Sequence, residues 1–354
     1  MTAGAQATWP GLGGTDRPLA DIYDLLLLDL DGVVYVGPHA VPSAPAALER
    51  ARGLGLRLCF LTNNASRPPG VVADHLTQLG VPTTEEEVVT SAMAAAALLR
   101  KQLRPGARVL VVGGEGLRWA LRREDLVPVA SVSEEPEAVV QGFSPDVGWR
   151  LLAEGTRAVR SGLPYVASNT DLTVPTEYGP APGNGTLVAA IVAASGVRPT
   201  VAGKPQPHVF LDGLRRCGGS APLAVGDRLD TDIEGARAAG IPALVVLTGV
   251  TDAAQLLACP PHRRPDYVGR DLGALFDSHP SPGLLPGEDA ARCRECVVRV
   301  VDGCLRIEGG TGGLDVLRAA CSVAWHLADR AAAQGTSFPD LDPGPVTKAV
   351  AEGR

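Results

Sequence analysis

Aromatic side chains are scarce: Phe, Tyr and Trp together make up 4% of 354 residues, so any core must be built from Leu, Val and Ala. Cysteine is sparse and odd in number, seven in a long chain, which fits a reducing compartment better than a disulfide framework. Excess basic charge is missing too. Thirty-two Lys and Arg face 39 Asp and Glu, a net charge of −7, which argues against a general nucleic-acid partner or an anionic membrane surface. No apolar run approaches the ~18 residues of a membrane span. Met1 to Pro18 is rich in Gly, Ala and Thr, with neither a basic segment nor an apolar one behind it, and so reads as a loose tail and not a signal peptide. These absences predict a soluble, cytoplasmic protein whose anion-binding groups are gathered locally.

What the chain does have is length, enough for two or three compact units, and four polar clusters, each following an apolar strand. The first is Leu25-Leu26-Leu27-Leu28-Asp29-Leu30-Asp31-Gly32-Val33-Val34-Tyr35. An apolar run suited to a strand buried on both faces ends in two carboxylates and a glycine, at the carboxyl edge where open α/β sheets keep their sites. Two acids so close repel unless a cation or proton neutralises them. The chemistry this suggests is nucleophilic attack by Asp29 on phosphorus, with Asp31 protonating the leaving oxygen and later activating water. Alone, the motif reads equally well as a strand and an Asp-Gly turn.

The second cluster, Thr62-Asn63-Asn64-Ala65-Ser66-Arg67, follows the strand 55–61 and offers hydroxyl, amide and backbone donors to a phosphate oxygen, or merely caps the next helix. The third, Val201-Ala202-Gly203-Lys204-Pro205, holds a lysine between two rigid neighbours, suited to neutralising phosphate or to an ordinary turn. The fourth, Gly226 to Ala236 after the strand 222–225, carries Asp227 and Asp232. Hard oxygen ligands of this kind select Mg²⁺. Asp227 is placed to ligate directly, while Asp232 binds through water, orients the site or simply enriches a helix start with acid. Gly113-Gly114-Glu115-Gly116 lacks the third glycine and the ribose-binding acid of a dinucleotide fingerprint, and reads as a strand-to-helix turn.

Between the second and third clusters the strands 108–112, 139–143 and 165–169 alternate with helices, which predicts a separate α/β domain. Its loop 170–180, polar and proline-rich, contains Asp171, Thr173 and Glu177. The expected division is a disordered tail 1–19, a core of 20–91 and 199–277, an inserted domain 92–198, a linker 278–289 and a small C-terminal α+β domain 290–354.

The four clusters in this order, D-x-D-G-V-x-Y, T-N-N-x-S-R, G-K-P and G-D-x-x-x-T-D-I, resemble the haloacid dehalogenase superfamily of phosphatases. The long insert is similar to that of the subfamily whose large α/β cap lies between the second and third motifs. The resemblance implies a doubly wound parallel-sheet core with an inserted cap. It implies Mg²⁺ held by Asp29, the Asp31 backbone carbonyl and Asp227, with Asp232 in support, and phosphoryl oxygens held by Thr62, Asn63, Asn64 and Lys204. Asp171, Thr173 and Glu177 become cap residues that choose the substrate. A phosphoacceptor switch and an idle scaffold are the non-enzyme alternatives; Asp31 and the cap argue against the first, and the four intact motifs against the second.

Beyond Asp277 the sequence changes. Cys296–Val301 and Cys304–Ile307 flank Asp302-Gly303, a two-residue hairpin signal, and Leu314 to Ala333 is amphipathic. Cys293-x-x-Cys296 with Cys304 and Cys321 matches no zinc-ligand spacing. The layout is similar to mycobacterial glycerol-3-phosphate phosphatases, in which a partial acetyltransferase-like segment follows the phosphatase, although the acetyl-CoA loop is missing here. The resemblance implies a small phosphate monoester as substrate, glycerol 3-phosphate first, with phosphoglycolate, a sugar phosphate or pyridoxal phosphate as alternatives. Leu314, Leu317, Ala320 and Trp325 need an apolar partner, and the Pro/Gly-rich linker favours a second copy of the chain, a homodimer.

Overall fold

The computed structural model describes residues 11–176, 178–287, 289–310, 313–337 and 341–352. The chain divides into two compact units, Met1–Val36 with Ala40–Leu56 and Ser220–Arg354, and Gly37–His39 with Arg57–Gly219. The strands Arg57–Thr62 and Val88–Thr90 fall in the second unit.

The first unit is built on four parallel strands in the order Tyr267–Gly269, Ala243–Val246, Pro222–Gly226 and Leu25–Asp29. Leu25 to Leu28 are wholly buried, as a strand covered on both faces demands. The helix Ala44–Gly53 buries Ala44, Ala47, Leu48 and Ala51, the three-and-four spacing of one apolar stripe. Residues 11–19, expected to be loose, are packed: Leu12 and Leu19 are buried, and the Thr15 amide donates to the His279 carbonyl at 2.7 Å.

The C-terminal region belongs to this same unit. Gly283–Leu284, Ala290–Cys293, Cys296–Val301 and Cys304–Gly309 form an antiparallel sheet, so the expected linker contributes a strand. Asp302 and Gly303 both have positive φ, +52° and +75°, the backbone that a two-residue turn between twisted strands requires. Cys293 and Cys296 stand opposite each other across a second two-residue turn, Arg294-Glu295, in which Arg294 has φ +50°, and all seven cysteines are free. The helix Gly313–Ala333 lies against this sheet and against Ala253–Leu257 and Tyr267–Gly269. Trp325 is 2% exposed and donates its Nε1–H to the Leu256 carbonyl at 2.8 Å. Arg264 grips Asp329 bidentately at 2.6 and 2.7 Å and sits 5.1 Å from the Trp325 ring. Leu317, Ala320 and Trp325, expected to face a second chain, are thus buried within their own unit, while Leu314 is partly covered.

The second unit holds a five-stranded, all-parallel sheet in the order Thr200–Val201, Tyr165–Ala167, Ala138–Gln141, Arg108–Val112 and Val127–Val129. Its core joins Leu110, Val112, Val139 and Tyr165 to Ala158, Val159 and Ile191 from the helices Trp149–Arg160 and Asn184–Ser195. The strands Arg57–Thr62 and Val88–Thr90 pair in parallel in the same unit. The stretch expected to be a loop at 170–180 is a hairpin of Thr173–Thr176 on Gly179–Pro182, because alternating small and β-branched residues can pair where a plain connector would leave backbone groups unmet. No described helix is long and apolar enough to cross a membrane.

Candidate active site

In the first unit, three carboxylates meet at the carboxyl ends of two adjacent strands. Asp29 closes the strand Leu25–Asp29, Asp227 follows Pro222–Gly226, and Asp232 lies in the turn of π-helix Leu229–Ile233. Each offers an oxygen within 4.8 Å of the other two, and Asp227 and Asp232 are 2% and 3% exposed. At that spacing each ionised pair repels by about 3 kcal/mol for an effective dielectric near 20, so the cluster calls for a cation.

Backbone donors orient two of the acids. Asp227 Oδ2 accepts from the Val250 amide at 2.7 Å, and Asp232 Oδ2 from the Arg228 amide at 3.1 Å. Glycine makes the first arrangement possible. A Cβ on Gly249 would stand 1.9 Å from Asp227 Oδ2, and one on Gly32, whose φ is +80°, 2.3 Å from the same atom. Thr248 Oγ1 donates to the Gly32 carbonyl, tying the end of the next strand to this turn. Asp31 is exposed beside the cluster; its Oδ2 accepts from the Tyr35 hydroxyl at 3.4 Å, and Gly32 N–H donates to the Tyr35 carbonyl at 2.8 Å. The support from Thr248, Gly249 and Val250 was visible in the sequence only as the end of one more apolar strand.

A hard divalent cation fits this donor set, because three close carboxylates, two of them buried, supply oxygen ligands and the charge that Mg²⁺ requires.

In the second unit the structure brings together Thr62, Asn63, Asp171 and Lys204. Thr62 is 4% exposed, and its Oγ1 accepts from the Asn64 amide at 3.1 Å, which leaves the hydroxyl proton as a donor. Lys204 is 3% exposed, beyond the end of Thr200–Val201, with Nζ 3.5 Å from the Leu61 carbonyl. Asn64 turns outward instead, its Oδ1 accepting from Ser66 N at 2.8 Å and Ser66 Oγ at 2.7 Å, the local turn that asparagine favours. Asn63 Oδ1 accepts from Lys204 N–H at 2.9 Å, and its Nδ2 donates to the Lys204 carbonyl at 3.2 Å and to Asp171 at 3.3 Å. Thr173 is exposed on the hairpin, and Glu177 lies outside the described residues. Asn169 and Asn184 escaped notice in the sequence as site residues: Asn169 Nδ2 donates to the Asn63 carbonyl and Asn184 Nδ2 to the Asn169 carbonyl, each at 2.7 Å. Their only signal was position, at a strand end and a helix start.

Two family models match the chain: haloacid dehalogenase-like hydrolase over residues 26–127, and a second, HAD-hydrolase-like model over 201–275. D-glycerol 3-phosphate phosphatase of Mycobacterium tuberculosis is 45% identical over 316 residues, 88% of each chain. A 5'-nucleotidase of Bacillus subtilis is 36% identical over 231 residues, 65% of this chain and 89% of that one. The crystal structure of glycerol phosphate phosphatase from Mycobacterium tuberculosis in complex with magnesium superposes with a TM-score of 0.83 at 41% identity, covering 95% of this chain and 98% of that one. The chain belongs to the haloacid dehalogenase-like hydrolases. Within that family it is a phosphoric monoester hydrolase with an α/β core and an inserted cap.

Proposed function

We propose that the chain is a Mg²⁺-dependent glycerol-3-phosphate phosphatase working through an aspartyl-phosphate. The observation that carries this is the three-carboxylate cluster at the strand ends, in a chain 45% identical to a D-glycerol 3-phosphate phosphatase along 88% of its length. Asp29, Asp227 and the Asp31 carbonyl would hold the cation, with Asp232 orienting the cluster. When bound, the cation neutralises these acids and the phosphoryl charge, allowing an anionic nucleophile to approach an anionic ester.

Asp29 attacks phosphorus; the P–O bond to glycerol breaks as Asp31 gives its proton to the departing oxygen. Asp31, now a carboxylate, takes a proton from water, which attacks phosphorus and frees Asp29 and inorganic phosphate. Thr62 O–H and Lys204 Nζ hold phosphoryl oxygens. The hairpin carrying Thr173, with Asp171 at its approach, selects the alcohol part of the ester. The exposed position of Asp31 suits a group that exchanges protons with a leaving alcohol and then with water.

Seven free cysteines support residence in the cytoplasm. The apolar helix face that suggested a homodimer is taken up within the first unit, and sedimentation of the full-length protein shows whether the chain associates by another surface.

The test is phosphate release from glycerol 3-phosphate, phosphoglycolate, a sugar phosphate and pyridoxal phosphate, with Mg²⁺ and with chelator. Highest kcat/KM on glycerol 3-phosphate, lost on chelation, is expected; preference for another ester overturns the substrate, and metal-independent turnover overturns the mechanism.

A further inference from the structure

The amide of Asn63 sits in the motif where a phosphate ligand is expected, yet its polar atoms are engaged inside the protein. Oδ1 takes the Lys204 N–H at 2.9 Å. Nδ2 is shared between the Lys204 carbonyl at 3.2 Å and the two oxygens of Asp171 at 3.4 and 3.3 Å. An amide has two donors and one acceptor oxygen, so this set uses both ends. The residue is anchored on its other side as well, because its backbone carbonyl receives Ser91 Oγ at 2.6 Å and Asn169 Nδ2 at 2.7 Å. Asn169, 4% exposed, is in turn braced by the 1%-exposed Asn184, whose Nδ2 donates to the Asn169 carbonyl at 2.7 Å. Gly203 leaves room for the contact: a Cβ there would stand 2.6 Å from Asn63 Oδ1 and 2.4 Å from the Ser168 carbonyl.

We infer that Asn63 is a positioning residue, which clamps the backbone of Lys204 through both of its peptide groups and ties that lysine to Asp171 at the approach to the cap hairpin. A buried lysine on a flexible four-carbon stem places its ammonium only as well as its backbone is held. The clamp therefore fixes where the phosphate-binding charge stands, and Asp171 completes the clamp as the acceptor for Asn63. Asn184 and Asn169 extend the same chain of amides into the helix Asn184–Ser195, so the strut is anchored in regular structure. The inference rests on the proposed role of Lys204 toward phosphate.

The two roles open to Asn63, phosphate ligand or clamp, separate on reversing the pair. Asn63→Asp keeps an acceptor for Lys204 N–H, loses both donors, and sets a carboxylate against Asp171. It should lower kcat/KM about a hundredfold and weaken competitive inhibition by inorganic phosphate about tenfold. Activity of this variant should rise as pH falls, since facing carboxylates share a proton more readily than they ionise together. Adding Asp171→Asn restores one donor and one acceptor to the pair and should recover kcat/KM to within about tenfold of wild type. A double variant no better than Asn63→Asp alone overturns the inference, because a carboxylate facing phosphate directly would repel it whatever stands at position 171. If both fail to fold, Asp171→Ala decides: a threefold or greater loss of affinity for inorganic phosphate supports the clamp, and wild-type or tighter affinity, as expected if Asn63 meets phosphate by itself, overturns it. Absence of phosphatase activity in the wild-type protein would instead remove the underlying function, a separate outcome.

Discussion

The parallel strands of the two units end in different chemistry. In the first unit the strands Leu25–Asp29 and Pro222–Gly226 run out into acids, Asp29 and Asp227, the second held by the Val250 N–H and crowded against Gly32 and Gly249. In the second, Ala138–Gln141 and Tyr165–Ala167 run out into neutral groups: Gln141 accepts from the Tyr165 hydroxyl, and Asn169 donates to Ser168 Oγ and to the Asn63 carbonyl. The architecture is shared, so the difference lies in what a strand end is asked to meet. Clustered carboxylates need a cation and can attack; neutral amides complete a frame without one.

The largest expected effect tests the first half of that contrast. Asp29→Asn keeps the shape and removes the nucleophile, and should lower kcat roughly a thousandfold or more with an unchanged melting profile, read by phosphate release in saturating Mg²⁺. Next, Gly249→Ala would drive a methyl to within 1.9 Å of Asp227 Oδ2, and the carboxylate must move. A loss of about a hundredfold in kcat together with a higher Mg²⁺ requirement is expected from titrating activity against the metal.

On the second unit, Thr173→Ala changes an exposed hairpin side chain. Relative kcat/KM among phosphate esters should shift by about tenfold while the rate on the best substrate changes less. Gln141→Leu should leave turnover intact and cost about 1–3 kcal/mol of stability, since the buried Tyr165 hydroxyl then loses its acceptor; Gln141→Leu with Tyr165→Phe should recover most of it, as read by denaturant unfolding. Smallest of all is a pH effect in the C-terminal region. His279, 1% exposed, has its pKa lowered mainly by burial, so the folded chain binds its proton less readily than the unfolded one. Stability should therefore be present above about pH 6.5 and fall as the solution is acidified below it, and His279→Gln should flatten that slope in a melting series.

The acids and the lysine were legible in the sequence because each stands at the end of a short apolar strand, where one residue type in one place has few physical explanations. Asp29, Asp227 and Lys204 are of this kind. The hairpin Asp302-Gly303 was legible for a similar reason, since two consecutive positive φ angles need those residues. The amide clamp was hidden because it depends on contacts across more than a hundred residues: Asn63 with Asn169, Asp171 and Lys204. The C-terminal helix was misjudged for a converse reason. Proline and glycine at 278–289 signal a turn-rich path, but not that His279 along it is buried, nor that the helix beyond it lies on Ala253–Leu257, where Trp325 finds its acceptor.

The strand Leu25–Asp29 has as its parallel neighbour Pro222–Gly226, nearly two hundred residues downstream, and the intervening chain is almost entirely the other unit. A ribosome emits the first strand long before that neighbour exists. The stretch Arg57–Gly219 is continuous and closes its own sheet from local βα steps, so it can fold while the nascent first unit still waits. Four consecutive leucines, destined for full burial, spend that interval uncovered. Synthesis thus sets an order on the molecule, with the stretch Arg57–Gly219 complete before the sheet of Leu25–Asp29 can form, and the helix Gly313–Ala333 arriving after both.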